Sequence, residues 1–180
     1  MILLSFLLSL APAFATPAPT QSSALAVGAL PDAVFHDQTG AERRLADLVR
    51  GKVVAINFIF TTCTTICPPM GAAFAQLQHT MAERGGDVRF LSVSIDPTTD
   101  TPARLSAWAT KFGGTSAWTL LTGGDVNATL DAFGVRSEVR TSHAPVVVLG
   151  NAKTNRWVRA YALAPTEDLA KILDDLGRAR

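Results

Sequence analysis

Neither sign of charge is in excess in this sequence. Its 180 residues include 16 Lys and Arg against 15 Asp and Glu, which leaves a formal net charge of +1 at pH 7. Proteins that bind nucleic acid or strongly acidic partners carry a large basic excess, so this balance indicates neither kind of partner. The chain is long enough for one domain with a substantial core, and its 48% hydrophobic content is ordinary for a globular protein. We therefore expect one globular domain that does not bind nucleic acid.

Long hydrophobic runs are also lacking, because the apolar N-terminal segment falls short of the ~20 residues that span a bilayer. Residues 1–15 carry no charged side chain, are interrupted by Pro12, and finish in Ala13-Phe14-Ala15, a small-x-small pattern typical of secretory cleavage sites. We predict a signal peptide over residues 1–15 and export to the periplasm or an equivalent extracytoplasmic compartment. No permanent membrane span is expected after cleavage.

The segment after the cleavage site has no periodic hydrophobic pattern. Residues 16–29 are rich in Ala, Pro, Thr and Ser and are predicted to form a flexible linker, so the folded domain is expected to span residues 30–180. Near the start of that domain, a turn signal at residues 37–40 separates two short segments, 33–36 and 42–45. This arrangement predicts an N-terminal β-hairpin.

Cysteine occurs only twice, at Cys63 and Cys67, directly after a strongly apolar segment. Residues 53–60 are apolar apart from Asn57 and rich in β-branched and aromatic side chains, which predicts a central strand covered on both faces. Pro68 biases Cys67 away from the helical region, so the second cysteine should lie near the start of a helix. Free amide groups at a helix N-terminus favour an anion, so at least one thiol should ionise more readily than a free cysteine.

Two thiols in one short turn have two chemical uses. They can close a disulfide if their Cα atoms come within ~4.4–6.8 Å, or they can hold one soft metal ion such as Cu(I) or Zn. A purely structural disulfide is the weaker explanation, because a ring of about five residues restrains the unfolded chain little. The residues alone leave a redox pair and a metal site both open.

A second strand and loop should bring an acidic residue to the same place. Residues 88–95 form the next predicted strand, and Asp96 follows it. Asp100 or Thr101 can cap a helix that has Pro102 at its first position. Two successive strands that each lead into a helix make a β-α-β unit, and its right-handed crossover puts both strand ends on one edge of a parallel sheet. Asp96 is therefore predicted to lie on the same edge as the cysteines, either as a turn carboxylate or beside the site.

The rest of the pattern completes an α/β sheet. Further strands are predicted over residues 118–122, 145–149 and 157–161, with helices over residues 125–133 and from Pro165 onward. This order predicts helices on both sides of a central mixed β-sheet that is parallel in the middle and closed by an antiparallel hairpin. Such an arrangement, with the cysteines after the first core strand, is similar to the thioredoxin fold.

Two motifs and one histidine carry a resemblance to a known family. Residues 61–68 follow the pattern T-x-C-x-x-x-C-P, residues 92–102 follow S-V-S-I-D-P-x-x-D-T-P, and His143 stands just before a predicted core strand. In these features the sequence resembles the Sco/SenC family of copper-binding proteins with a thioredoxin-like fold, and the resemblance covers roughly residues 30–176. Ordinary thioredoxins have C-x-x-C and lack the second motif.

The resemblance implies a ligand set. Cys63 and Cys67 match the copper-binding thiols of the family, His143 matches its imidazole ligand, and Asp96 matches an acidic residue near that site. Two thiolates and one imidazole suit Cu(I), and a weak further ligand or water would let the same residues hold Cu(II). Zinc would favour a fourth protein ligand, for which the sequence offers no obvious candidate.

The family helps to assemble the binuclear copper centre of cytochrome c oxidase, so the leading hypothesis is a copper metallochaperone. The expected partner is the oxidase subunit that carries this centre, or another protein that donates or accepts copper. The alternative is a thiol-disulfide oxidoreductase that uses Cys63 and Cys67 to reduce the cysteines of a copper-receiving partner, with Cys63 as the nucleophile. A peroxidase is a third hypothesis, but no supporting Arg or Gln/Trp set can be placed beside Cys63 from the sequence.

Overall fold

The computed structural model of the chain describes residues 22–136 and 144–179. Within these ranges the chain forms eight strands and five helices. The strands are β1 (Ser22–Leu25), β2 (Val34–Asp37), β3 (Glu42–Arg44), β4 (Val53–Ile59), β5 (Val88–Ser94), β6 (Trp118–Thr122), β7 (Val146–Asn151) and β8 (Arg156–Tyr161). The helices are α1 (Leu45–Val49), α2 (Cys67–Glu83), α3 (Pro102–Lys111), α4 (Val126–Ala132) and α5 (Thr166–Arg178).

The strands form one mixed sheet in the order β1-β8-β7-β4-β5-β6-β2-β3. Strands β4, β5 and β6 run parallel, and the remaining neighbours pair antiparallel. Parallel neighbours need crossover connections, which α2 and α3 supply. The predicted α/β class, with a central mixed sheet and flanking helices, is confirmed. The predicted N-terminal hairpin is β2–β3, in which Phe35 pairs with Arg43.

Strand β4 occupies the middle of the sheet because both of its faces are apolar. Ala55 and Ile59 pack in the hydrophobic cluster that contains the apolar side chains of α2, whereas Ile56 and Phe58 pack in the cluster on the other face. All four are buried, and burial of a large aliphatic or aromatic side chain contributes about 1.5–3 kcal/mol relative to its exposure. The C-terminal end of β4, where the cysteine turn begins, is therefore held from both sides.

Helix α2 is anchored on the sheet by an apolar stripe at helical spacing. Met70, Phe74, Leu77 and Met81 are all buried, as the sequence predicts. The Phe74 ring packs edge-on against two aromatic rings of the sheet, with centroid distances of 5.3 and 5.6 Å. This packing fixes the N-terminus of α2, and with it the position of the second cysteine.

Strand β1 corrects part of the predicted linker. The predicted flexible linker spans residues 16–29, but Ser22–Leu25 pair antiparallel with β8, and the Gly28 amide donates to the Ala132 carbonyl at 3.0 Å. An edge strand of small, exposed residues gains its hydrogen bonds from the neighbouring strand and needs no hydrophobic alternation, so the pattern did not show it. The predicted signal peptide and residues 16–21 lie outside the described residues. Among the helices of residues 22–136 and 144–179, none is both long and apolar enough to cross a membrane.

Candidate copper and thiol site

The two cysteines lie in the turn that joins β4 to α2. The Cys63 amide donates to the Phe60 carbonyl at 3.2 Å, which closes the turn after the strand, and Cys67 is the first residue of α2. Both side chains are nearly inaccessible, with exposed fractions of 8% for Cys63 and 3% for Cys67. Both thiols are free in this structure. The fold thus brings the two sulfurs together at one end of the central strand.

The start of α2 provides hydrogen-bond donors to the first sulfur. The Cys67 amide donates to Sγ of Cys63 at 3.4 Å, and the Thr65 hydroxyl lies 3.7 Å from the same sulfur. The first amides of a helix have no partner within the helix, so a sulfur placed here satisfies one of them. A thiolate accepts such bonds better than a thiol, and the arrangement therefore favours ionised Cys63.

The two thiols have opposite electrostatic environments. Burial acts to raise the pKa of Cys63, but hydrogen bonds from the backbone and side chains of Cys67 and Thr65 outweigh it and lower that pKa to about 7. Burial, reinforced by the neighbouring Cys63 sulfur and by the charge of Asp100, raises the pKa of Cys67 to about 12. The expectation that one thiol ionises readily is confirmed for Cys63. Cys63 is thus the thiol of the pair that ionises more readily, and Cys67 keeps its proton near neutral pH.

The buried carboxylate of Asp100 holds the start of the turn that carries the two cysteines. Asp100 is fully buried, and its carboxylate accepts hydrogen bonds from the Thr61 amide at 3.1 Å, from the Thr61 hydroxyl, and from the Ser94 hydroxyl at 2.7 Å. The carboxylate therefore joins the ends of β4 and β5 to the start of α3. The cap of α3 is instead Thr101, whose hydroxyl accepts from the Arg104 amide at 3.4 Å.

The sequence pattern predicts Asp100 only as a helix cap and does not show its contact with the turn that carries the cysteines. The signal was present, because Thr61 and Asp100 both fall within the two motifs. Only the alignment of the two strand ends could reveal that the motifs touch.

Asp96 lies on the predicted edge of the sheet. The adjoining Ile95 amide donates to the Ile59 carbonyl at 2.9 Å, which joins the ends of β4 and β5. The Asp96 carboxylate accepts from the Thr98 hydroxyl at 2.8 Å, and this bond is the main cause that lowers the pKa of Asp96. These contacts are those of a turn carboxylate. A role for Asp96 beside a bound metal stays a prediction.

His143 lies outside the described residues, so its place in the ligand set stays a prediction. Its neighbour in sequence, Ala144, lines a narrow apolar cavity together with Ile66, Cys67 and Met70. Within residues 22–136 and 144–179, no group of three or more His, Cys, Asp or Glu side chains is placed to hold a metal ion. The described residues thus provide two soft sulfur donors, which suit a soft metal ion such as Cu(I) or Zn.

A mixed sheet with two thiols at the C-terminal end of its first parallel strand, the second of them opening a helix, defines a thiol protein of the thioredoxin-like fold class. The SCO1/SenC family model matches residues 31–175, which is most of the chain. The protein therefore belongs to the SCO1/SenC family.

Two bacterial relatives agree with this family. A SCO1 protein homolog from Bacillus subtilis (strain 168) is 40% identical over 90 residues, which make up 49% of this chain and 46% of the homolog. The chain thus spans about half the length of the curated relative that it matches. The crystal structure of a SCO1/SenC family lipoprotein from Bacillus anthracis str. Ames shares 30% identity, with a TM-score of 0.68 and coverage of 85% of this chain and 96% of that chain.

Two further structures share the fold and concern the chemistry of thiols and copper. BsSco, a Sco family member with a disulfide switch, is 25% identical, with a TM-score of 0.70 and coverage of 87% of this chain and 97% of its own. Yeast Sco1 with copper bound is 20% identical, with a TM-score of 0.64 and coverage of 91% of this chain and 96% of that chain. At this identity, the yeast structure supports the fold alone.

Proposed function

We propose that this protein binds copper through Cys63, Cys67 and His143 and delivers it during assembly of the binuclear copper centre of cytochrome c oxidase. The observation that carries the proposal is the pair of free, adjacent thiols at the start of α2. BsSco, a member of a family of cytochrome c oxidase assembly proteins, supports the choice of process, and the two soft sulfur donors suit Cu(I). The partner is then the oxidase subunit that carries this centre, or another copper donor or acceptor protein.

The two pKa values suit a site that takes up and releases its metal. Cys63 is already half ionised near pH 7, so a Cu(I) ion can bond to its sulfur first. The second bond requires the loss of a proton from Cys67, whose pKa is about 12, and this cost weakens the net affinity near neutral pH. A transfer protein needs such a balance, because its metal must pass on to a recipient.

The same geometry favours a second function, the reduction of disulfides in the copper-receiving protein. The Cys63 thiolate attacks one sulfur of the partner's disulfide and releases the other as a thiol, which leaves a mixed disulfide. Cys67 then attacks Sγ of Cys63, releases the second partner thiol and closes the intramolecular disulfide, so the partner gains the two electrons that the cysteines lose. The large difference between the two pKa values supports this order of attack.

Export also belongs to the proposal. The relative from Bacillus anthracis is a lipoprotein, and the apolar segment before Ala15 resembles a secretory signal. Intact-mass analysis of the protein from an expressing cell tests this proposal. A mature chain that begins at Thr16 is expected, and a mature chain that retains residues 1–15 contradicts cleavage.

Anaerobic titration of the reduced protein with Cu(I) against a competing chelator tests copper binding. The parent should bind one equivalent, and Cys63→Ser or Cys67→Ser should lose most of the affinity, because one remaining thiolate leaves the ion open to exchange. Thr62→Ser, an exposed change in the same turn, is the matched control and should bind as the parent does. If Cys67→Ser retains the parent's affinity, copper binds elsewhere and the proposal fails.

A further inference from the structure

A surface groove begins at Cys63 and follows α3. Its volume is about 490 Å³, and one end of it is formed by the cysteine turn. The described residues that line it include no Asp or Glu; they are Thr61, Cys63, Thr64, Pro68, Arg104, Ala107, Trp108 and Lys111. The α3 members are spaced as positions i, i+3, i+4 and i+7, so one face of the helix forms one wall of the groove.

Two cations of this wall face solvent and make no ion pair with a described carboxylate. Arg104 and Lys111 are exposed, and in the described part of the chain neither has a carboxylate within ion-pair distance. Arg104 donates through Nε to the Thr61 hydroxyl at 3.0 Å, and Nζ of Lys111 lies 5.3 Å from the centroid of the Phe112 ring. Arg84 shows the contrast, because it pairs with two carboxylates of α5. The groove therefore carries a local positive charge on a protein whose net charge is only +1.

Asp96 lies within electrostatic reach of Arg104 but does not line the groove. Asp96 and the buried Asp100, which shares the Thr61 hydroxyl with Arg104, offset part of the Arg104 charge, so Lys111 carries the less compensated of the two charges among the described residues.

Trp108 gives the groove a rigid wall. Its side chain is 5% exposed and packs against the Phe112 ring with a centroid distance of 4.9 Å. Among the described residues, no group accepts a hydrogen bond from its indole Nε1. The buried Trp108 therefore acts as a fixed support for this wall, and the exposed Arg104 beside it belongs to a residue type that is enriched among interface hot spots.

We propose that this groove binds an acidic segment of the partner protein. That partner receives copper from the site, or carries the disulfide that reacts with Cys63. The inference rests on the proposed function, because it supplies the binding surface for that exchange. A recipient must bring its own sulfur to bonding distance of a nearly buried Cys63, so contacts beside the turn have to orient it. Arg104 and Lys111 attract carboxylates and lengthen the encounter, and the partner chain then lies along α3 with its acceptor group at the cysteine end.

Three short peptides test the charge preference of the groove. Each has one cysteine capped as a 2-pyridyl disulfide, flanked by two Glu, two Gln or two Lys. The Cys63 thiolate attacks the peptide sulfur and releases pyridine-2-thione, whose absorbance reports the rate; Cys67 then displaces the peptide thiol. Dividing each rate by that of 2-mercaptoethanol with the same peptide removes the intrinsic reactivity of the disulfide.

The parent should react about tenfold faster with the Glu peptide than with the Lys peptide at low salt, and 1 M salt should abolish most of the difference. The Lys111 side chain contacts neither cysteine. Lys111→Gln should lower the ratio of the Glu-peptide rate to the Lys-peptide rate about threefold, and Lys111→Glu should lower it further. Arg104→Lys keeps the charge and should keep the preference. The matched control is the double variant Lys153→Gln/Arg156→Gln. It removes two exposed cations near the N-terminal end of β4, at the end of the sheet opposite the cysteines, and should leave the ratio unchanged.

Equal rates for the three peptides in the parent overturn the docking inference, as does an equal loss of preference in the Lys111 variants and the control. Cu(I) titration of the same variants separates the two proposals. The Lys111 variants should bind copper as the parent does. A parent that binds no copper at its cysteines contradicts the proposed function whatever the peptide ratio is.

Discussion

Alkylation should distinguish the two thiols by a large factor. Iodoacetamide reacts with thiolates, and the pKa values are about 7 for Cys63 and about 12 for Cys67. At pH 8, roughly nine tenths of Cys63 and about one part in 10⁴ of Cys67 are ionised, a ratio of about 10⁴. The more basic thiolate is intrinsically more nucleophilic by about 10², for a Brønsted coefficient of ~0.4–0.5 over this difference in pKa. Cys63 should therefore react about 10²-fold faster, before the deeper burial of Cys67 slows it further.

The assay is a series of short anaerobic pulses of iodoacetamide between pH 6 and pH 9.5, followed by peptide mass spectrometry. The rate at Cys63 should be half-maximal near pH 7. The same pulses in urea provide the control, because both cysteines of an unfolded chain should react alike, with a midpoint near ~8.5. Equal rates for the two cysteines in the folded protein, or a Cys63 midpoint equal to that in urea, would refute the asymmetry and the order of attack built on it.

Four further outcomes are expected. Asp100→Asn should lower the free energy of unfolding in urea by about 1–3 kcal/mol, because charge-assisted bonds to the turn are lost, and should also lower the pKa of Cys67; an unchanged pKa would contradict the placement of its charge. From pH 7 to about 8.5 the stability of the reduced protein should rise by about 0.6 kcal/mol per pH unit, since Cys63 is ionised in the folded state while the cysteines of the unfolded chain keep their protons up to ~8.5; above about pH 8.5 it should fall, since Cys67 stays protonated only when folded. Both slopes should vanish in the double Ser variant. The apparent Cu(I) affinity should rise about tenfold per pH unit from pH 7.5 to 9, because binding displaces the Cys67 proton, and a flat profile in the chelator competition would exclude this. His143→Ala should lose stable Cu(II) binding and weaken Cu(I) binding while the disulfide still forms with a similar midpoint potential; unchanged thiolate-to-copper absorption bands would remove His143 from the ligand set.

Local and periodic signals in the sequence were sufficient for the framework of the site. Residues 53–60 predict β4 because a strand buried on both faces is continuously apolar, and the spacing from Met70 to Met81 predicts the face of α2 that packs on the sheet. The turn between them follows from Pro68, which limits where the helix can begin. These features depend on neighbours close in sequence, which is why composition and spacing predict them.

Features that depend on distant parts of the chain were not predictable in the same way. Asp100 and Thr101 are both good helix caps, and only the approach of β4 to β5 decides that Asp100 turns inward toward Thr61. Strand β1 forms because an edge of β8 is available, and its small residues give no pattern of their own. In the sequence, Arg104 cannot be told from any other charged residue on the solvent face of a helix. Its hydrogen bond to the Thr61 hydroxyl, beside the cysteines, exists only in the folded protein.

X-ray absorption at the copper edge of the Cu(I)-loaded, reduced protein counts the sulfur and nitrogen atoms bonded to the metal and so identifies the ligands of the copper site. We expect two sulfur ligands and one nitrogen ligand in the parent, one sulfur fewer in Cys63→Ser and in Cys67→Ser, and no nitrogen from imidazole in His143→Ala. A copper ion with fewer than two sulfur ligands in the parent, or with the same ligands in parent and Cys67→Ser, would contradict the assignment of this turn as the copper site.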